Sequence, residues 1–301
     1  MATTRLAERA RFDLVLYGTL LVLTWGLMIL GALTRASGAG ISCPDWPLCH
    51  GHLVPPLDAA LYPADPRDAV YKVFLEFIHR VLAGLVSMGS LVLGIRLLRR
   101  GRPRPAILLW TVLALQIAMG AVTVILRNAP FTVVIHLGLA LTFSAVLIYS
   151  ARTTLGFVPA LTMNTAYRVA LALVATQLLL GGVVSSRAIG LACYDFPFCN
   201  GLPLPAYWTN AIGWQFAHRM TGFTIFAVLS GTALVARFGR ETRERAFAYS
   251  LVAVVSIQIL LGGINVWFRI PPIASAAHLA VAVLLFAALV DRTVRGISVS
   301  T

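Results

Sequence analysis

Eight runs of apolar residues set the terms for this chain, near 14–35, 71–98, 105–127, 131–152, 165–187, 211–237, 246–269 and 272–293. Each is long enough to cross a hydrocarbon core about 30 Å thick, which takes about 20 residues of helix. They are too long for barrel strands. In lipid, each backbone must satisfy its own polar groups, so each run is expected to be an α-helix. Gly and Pro punctuate the ends, at Gly101-Arg102-Pro103, Asn128-Ala129-Pro130 and Pro271-Pro272. Charged residues are only 12% of the chain, against about 25% in a soluble domain. The polar, basic stretch MATTRLAERARFD precedes a first run that ends in Leu33-Thr34-Arg35 rather than in small residues. That predicts a retained first helix, not a cleaved leader.

Arginine marks one set of helix ends. Arg5, Arg9 and Arg11 precede the first run, and Arg96, Arg99, Arg100, Arg102 and Arg104 fill the link between runs two and three. Arg152 and Arg168 flank the link after run four. Arg237, Arg240, Arg243 and Arg245 fill the one after run six, and Arg292 and Arg295 end the chain. The opposite links hold Asp45, Asp58, Asp65, Asp68 and Asp195. The positive-inside rule then puts both termini in the cytoplasm and the long first and fifth links outside a cell membrane crossed many times. The net charge of +13 lies between apolar runs, so it reads as loop charge beside anionic lipid and not as a nucleic-acid surface.

The two halves repeat. Gln116-Ile-Ala-Met-Gly120 matches Gln258-Ile-Leu-Leu-Gly262, and the match runs without a gap to Pro130 and His136, and to Pro272 and His278. Glu76-Phe-Ile-His79-Arg80 matches Gln215-Phe-Ala-His218-Arg219, and Cys43-Pro-Asp-Trp-Pro-Leu-Cys49 matches Cys193-Tyr-Asp-Phe-Pro-Phe-Cys199. Four helices per half is an even number, so both halves keep one orientation, related by a pseudo-twofold along the membrane normal. The expected fold is therefore all-α: a polytopic membrane protein whose eight transmembrane helices form two tandem four-helix bundles, 1–155 and 156–301, side by side.

His79, His136, His218 and His278 stand inside apolar runs, each in an even-numbered helix and each some 8–12 Å from its outer end at ~1.5 Å per residue. Polar groups at such depth are costly and usually functional, and imidazole is a common axial ligand of heme iron. A ligand from each of two facing helices makes a bis-histidine site in each half. Heme is preferred to a bare metal, because no Cys, Asp or second His joins either pair on its own helix. Ala83, Gly84, Gly138, Gly222, Ala276 and Ala277 near the ligands leave room for a flat macrocycle, though small residues also serve ordinary helix packing. Arg80 and Arg219 directly follow their histidines and suit heme propionates; snorkelling to the interface is the other reading.

One position breaks the symmetry. Glu76 shares a helix face with His79, while its counterpart, Gln215, cannot ionise. A carboxylate kept in one half alone points to chemistry in that half; pairing with Arg80 or Lys72 is the structural alternative. The four cysteines form a Cys-x5-Cys in each outer link, where oxidising conditions favour disulfides. The simplest pairing is local, Cys43 with Cys49 and Cys193 with Cys199. A loop-closing bridge, a redox-active pair and, with His50 and His52, a zinc cluster all remain open, although Asn200 replaces His50 in the second loop. Trp46, Phe196 and Phe198 give these loops apolar sides that could cap the sites beneath.

The Ser42-Cys43-Pro-Asp-Trp-Pro-Leu-Cys49-His50-Gly51 loop, Glu76-x-x-His79-Arg80 and the paired histidine helices together resemble the heme A synthase family, over nearly the whole chain. The resemblance implies an oxidoreductase that converts a methyl group of heme O to a formyl group, making heme A for cytochrome oxidase. It implies that His79 and His136 hold the substrate heme, that His218 and His278 ligate a heme b cofactor, that Glu76 is catalytic, and that the cysteine pairs are outer disulfides. Heme O synthase, cytochrome oxidase assembly factors and an electron acceptor are the implied partners. Two hydroxylations of the methyl followed by loss of water would give the aldehyde. A diheme cytochrome taking electrons from quinol shares the histidines but has no need of Glu76 at one site only. A transporter built on parallel repeats predicts broken helices at mid-membrane, where no Gly/Pro interruption occurs.

Overall fold

The computed structural model describes residues 2–56, 58, 66–154 and 165–294. Asp65, Arg295, the expected boundary at 155/156 and the side chains of Arg5, Arg9 and Asp68 lie outside the described residues. Among the described residues eight helices follow one another: α1 Ala2–Ala36, α2 Pro66–Arg99, α3 Pro103–Ile125, α4 Pro130–Thr154, α5 Thr165–Ser186, α6 Asn210–Arg237, α7 Thr242–Trp267 and α8 Pro272–Val294. All eight are long and apolar enough to span a membrane, so this is an all-α, multi-pass membrane protein. Four of them start on proline, whose missing N–H is no loss in a first turn and whose φ is already helical. The expected starts at 14, 71 and 246 are corrected to Ala2, Pro66 and Thr242. The polar lead-ins to α1 and α7 carry Ala, Arg, Leu and Glu, strong helix formers with no breaker among them, and Pro66 suits the first turn of α2, so each helix runs past its apolar segment.

The chain divides into two compact units, one within Met1–Pro159 and one within Ala160–Thr293. In unit 1, successive helices pack together and α4 returns to α1, closing a ring of four. Gly89 lets Leu20 approach within 2.8 Å of where a Cβ would stand. Gly94 faces the Trp110 indole, whose Nε1 donates to the Ser90 carbonyl at 3.2 Å. Trp25 Nε1 donates to Ser144 Oγ at 2.9 Å, joining α1 to α4. In unit 2, α5, α6 and α7 pack in sequence, and α8 is tied to α7 by Ser275 Oγ donating to Asn265 Oδ1 at 2.8 Å.

At the end away from the cysteine loops, each unit pairs one carboxylate with arginine, buried in unit 1 and partly exposed in unit 2. Asp13, 3% exposed, pairs with Arg96 at 2.7 Å and with Arg100, holding α1 to α2. Glu244 accepts from Tyr167 at 2.7 Å and pairs with Arg292, joining α5, α7 and α8. Removing one partner of a buried pair costs about 3–5 kcal/mol. Here both arginines are about a third exposed (29% and 31%), so water screens part of that. Asp13→Ala is therefore expected to destabilise unit 1 by about 2 kcal/mol, read as a lower thermal midpoint of the detergent-solubilised protein.

Candidate heme sites

Each histidine sits in a notch cut by a glycine of the preceding helix. A Cβ built on Gly31 would lie 2.9 Å from His79 Cε1; on Gly120, 3.3 Å from His136 Cε1; on Gly181, 3.1 Å from His218 Cε1; on Gly262, 3.3 Å from His278 Cε1. The four rings therefore rest edge-on against backbone, in pairs α1–α2, α3–α4, α5–α6 and α7–α8. The main chain of Leu27, Gln116, Gln177 and Gln258, four residues before each glycine, stands beside the ring. The Gln116 and Gln177 amides come within 3.4 Å of Nε2 of His136 and His218. Only Gln116, Gly120, Gln258 and Gly262 stood out in the sequence as a repeat. The same Gln-x-x-x-Gly spacing at Gln177 and Gly181 was the available signal for the third notch. At the first, Leu27 replaces glutamine and hides it.

The arrangement fits a heme. All four imidazoles are only half-buried, yet their Nδ1 atoms are enclosed without a hydrogen-bond partner. Metal-bound imidazoles commonly give that second ring N–H to a backbone carbonyl, which fixes the tautomer and the ring plane. His218 and His278 have ring centroids 6.4 Å apart. With metal–nitrogen bonds of ~2 Å and about 1 Å from ring nitrogen to ring centre, two imidazoles on one iron have centres about 6 Å apart. In unit 1, His136 lies within electrostatic reach of His79. Among the described residues no three His, Cys, Asp or Glu side chains gather as a bare-metal site.

Both cysteine pairs are bonded, Cys43 to Cys49 and Cys193 to Cys199, with Cα atoms 4.7 and 4.5 Å apart. The expected alternative of a zinc cluster is corrected, since the sulfurs are spent in these bonds. In both loops an aspartate ties the turn: Asp45 accepts from the N–H groups of His50 (2.7 Å) and Gly51 (2.8 Å), and Asp195 from those of Asn200 (2.6 Å) and Gly201 (2.7 Å). His50 and Asn200 both adopt positive φ, 53° and 59°. Their side chains reach the carbonyls of Ser42 (2.8 Å) and Ala192 (3.3 Å). The His-to-Asn difference is thus one job done by two side chains.

The loops are clamped to the helices that carry the histidines. Arg80 donates four N–H groups: to the carbonyls of Asp45 (2.6 Å), Leu48 (2.5 Å) and Cys43 (2.8 Å), and to Glu76 Oε1 (2.7 Å). Glu76, 5% exposed, accepts the Cys43 N–H on Oε2 at 2.9 Å. Arg219 repeats the clamp on the carbonyls of Phe198 and Cys193, and Gln215 accepts the Cys193 N–H at 2.5 Å. Of the two expected partners for Glu76, Arg80 is in contact with it, at 2.7 Å. Gln215 also donates to the Gly190 carbonyl. Glu76 cannot donate, and in unit 1 Asn128 Nδ2 serves the Gly40 carbonyl instead, at 3.0 Å. The counterpart of Asn128 is Ile270, whose side chain packs on Gly190. The carboxylate is therefore accommodated by a second change in the turn between α3 and α4, a link invisible in either motif alone.

The sequence pattern of the family described as cytochrome oxidase assembly protein matches residues 14–290. Among similar proteins, one from Shewanella oneidensis named heme A synthase is 30% identical over 90% of this chain and 92% of its own length. Another of that name, from Shouchella clausii, is 30% identical over 81% of this chain and 79% of its own. A third, from Rickettsia prowazekii, is 26% identical over 88% and 92%.

Gly181→Ala is expected to push His218 off its seat and weaken the heme absorbance per chain, with the disulfides intact. The loop carries a pH dependence of known sign. Burial alone would raise the Asp45 carboxyl, but the Gly51 and His50 amides and the nearby Arg80 charge together outweigh it and hold it below the ordinary 3.8. A depressed carboxyl contributes stability above its unfolded value and loses it as pH falls through the folded one. Exchange of the His50 and Gly51 amides should stay protected down to about pH 4 and lose protection only in stronger acid.

Proposed function

This chain belongs to the cytochrome oxidase assembly protein family, and from that premise we propose that it is a heme A synthase, with substrate chemistry in unit 1 and a cofactor in unit 2. The enzyme is an oxidoreductase that turns a methyl group of heme O into a formyl group, giving heme A for cytochrome oxidase. The observation that carries the reading is the pair of glycine-seated imidazoles in each unit. His79 and His136 are assigned to the substrate heme, and His218 and His278 to a resident heme b. When bound, that heme supplies one-electron transfer.

Taking CH3 to CHO passes four electrons to the electron acceptor in two hydroxylations, through the alcohol and then the gem-diol, the hydrate of the aldehyde, which sheds water. The chain's part is to fix the porphyrin plane with two imidazoles, to shield the reacting edge with the Cys43–Cys49 loop, and to manage protons. Glu76 is assigned the last role, holding or passing a proton at its carboxylate beside His79. Its pairing with Arg80 keeps the anion in place and lends it a second duty, anchoring the loop. Arg80 and Arg219 are given loop fixation in addition to the propionate contacts their positions suggest. Both disulfides are read as closing loops on the outer face of the cell membrane, with both termini cytoplasmic, in keeping with the arginine-rich links on the other side. Heme O synthase, assembly factors and an electron acceptor are the partners this role requires.

Glu76→Gln separates charge from anchoring, because Gln215 already shows that glutamine can accept a loop cysteine N–H. The variant is expected to keep its disulfides and bound heme while heme A formation falls by about 10²-fold or more, measured by chromatography of extracted hemes. Normal heme A yield would remove Glu76 from the chemistry.

A further inference from the structure

We propose that the gap between α2 and α3 beneath the Cys43–Cys49 loop admits the long apolar side chain of the substrate heme, and that an aromatic wall at the same place in unit 2 excludes it there. The inference rests on the assignment of substrate to unit 1 and cofactor to unit 2. Heme O differs from heme b in bearing a farnesyl-derived chain on one pyrrole, so a protein holding both must tell them apart by room for that chain.

In unit 2 the room is filled. Phe196 leaves its loop and lies between α6 and α7, its ring 6.2 Å from Phe223 at 26° and 5.9 Å from Trp267 at 80°. It presses on the α7 backbone, where a Cβ on Gly263 would lie 3.0 Å from the Phe196 ring. Trp267 Nε1 faces the Phe196 carbonyl at 3.4 Å, and the Arg219 guanidinium lies 5.6 Å from the Phe196 ring centre. Gly263 follows Gly262, the seat of His278, so this wall stands level with a ligand. Stacked and edge-on rings hold one another in place.

In unit 1 the repeat puts Gly84 where unit 2 has Phe223, Ala121 where it has Gly263, and Ile125 where it has Trp267. Nothing lies within 4 Å of a Cβ built on Gly84. Ile125 is 70% exposed, and Trp46, the counterpart of Phe196, is 47% exposed. Among the described residues no ring stacks on Trp46. Two of the three rings of the wall are absent and the third is not inserted. A chain leaving the porphyrin here meets apolar side chains and then lipid, with no packed ring in its way. In unit 2 it would have to displace packed rings, so the steric penalty sets the selectivity.

The test is the heme content of full-length protein purified from cells making both heme b and heme O, with heme b and heme O also titrated separately into the detergent-solubilised protein. Gly84→Phe is expected to cut bound heme O plus heme A about tenfold or more and to leave heme b unchanged, which also reports a folded chain. The converse variant, Phe223→Gly with Trp267→Ile, should let unit 2 take up heme O. If Gly84→Phe loses heme b as well, the opened variant decides alone. Undiminished heme O binding in a folded Gly84→Phe, or continued refusal of heme O by the opened unit 2, overturns the proposal. Wild-type protein that binds heme O in this Gly84-dependent way yet forms no heme A leaves the proposal standing and overturns the catalytic assignment instead.

Discussion

Four missing methyl groups hold this architecture to its purpose. At Gly31, Gly120, Gly181 and Gly262 the absence of a Cβ lets an imidazole lie against the backbone of the neighbouring helix. Close approach of this kind is what small residues provide in lipid, where no hydrophobic drive pulls helices together. The same contact presents an enclosed ring nitrogen to a helix backbone and leaves the rest of the ring at a half-buried surface. A side chain at any of the four positions would remove the seat rather than a peripheral contact. The pairing of helices, α1 with α2 and so on through α8, is thus also the positioning of the ligands.

The second layer is the clamp between each loop and its histidine helix. An arginine one residue after the histidine gathers loop carbonyls, and a side chain three residues before it takes the N–H of the first cysteine. These groups would otherwise be unsatisfied where water is scarce, and each unpaired group is expensive. The disulfide shortens the loop, the aspartate ties its turn, and the clamp fixes it over the helix ends. The ligand and its cover are therefore held by one stretch of helix.

Duplication supplied the frame, and differences at a few positions near the ligands set the two units apart. Leu27 stands where the other notches have glutamine. Glu76 replaces the neutral Gln215, with Asn128 taking over the carbonyl that glutamine would have served. Gly84 stands against Phe223. Each difference falls in unit 1 and lies within reach of the His79 and His136 helices or their loop: Leu27 makes its notch apolar, Glu76 adds a charge, and Gly84 leaves open space. A charge inside a membrane helix is costly, and here an adjacent arginine offsets it.

The sequence by itself determined the spans, their all-helical character, the repeat, the four histidines and the odd carboxylate. These follow from residue type and spacing: apolar length dictates a crossing helix, and a rare ionisable group inside one is conspicuous. It misplaced the starts of α1, α2 and α7, because polar residues that suit a helix extend it without adding hydrophobicity. Only the tertiary structure decided which glycine seats which imidazole, that Arg80 serves the loop and Glu76 together, that His50 and Asn200 do one job, and that Asn128 compensates for Glu76. Those are contacts between side chains and the backbone of other helices and loops, brought together only by packing. A carbonyl has no letter in the sequence, so what satisfies it becomes visible only when the helices are packed.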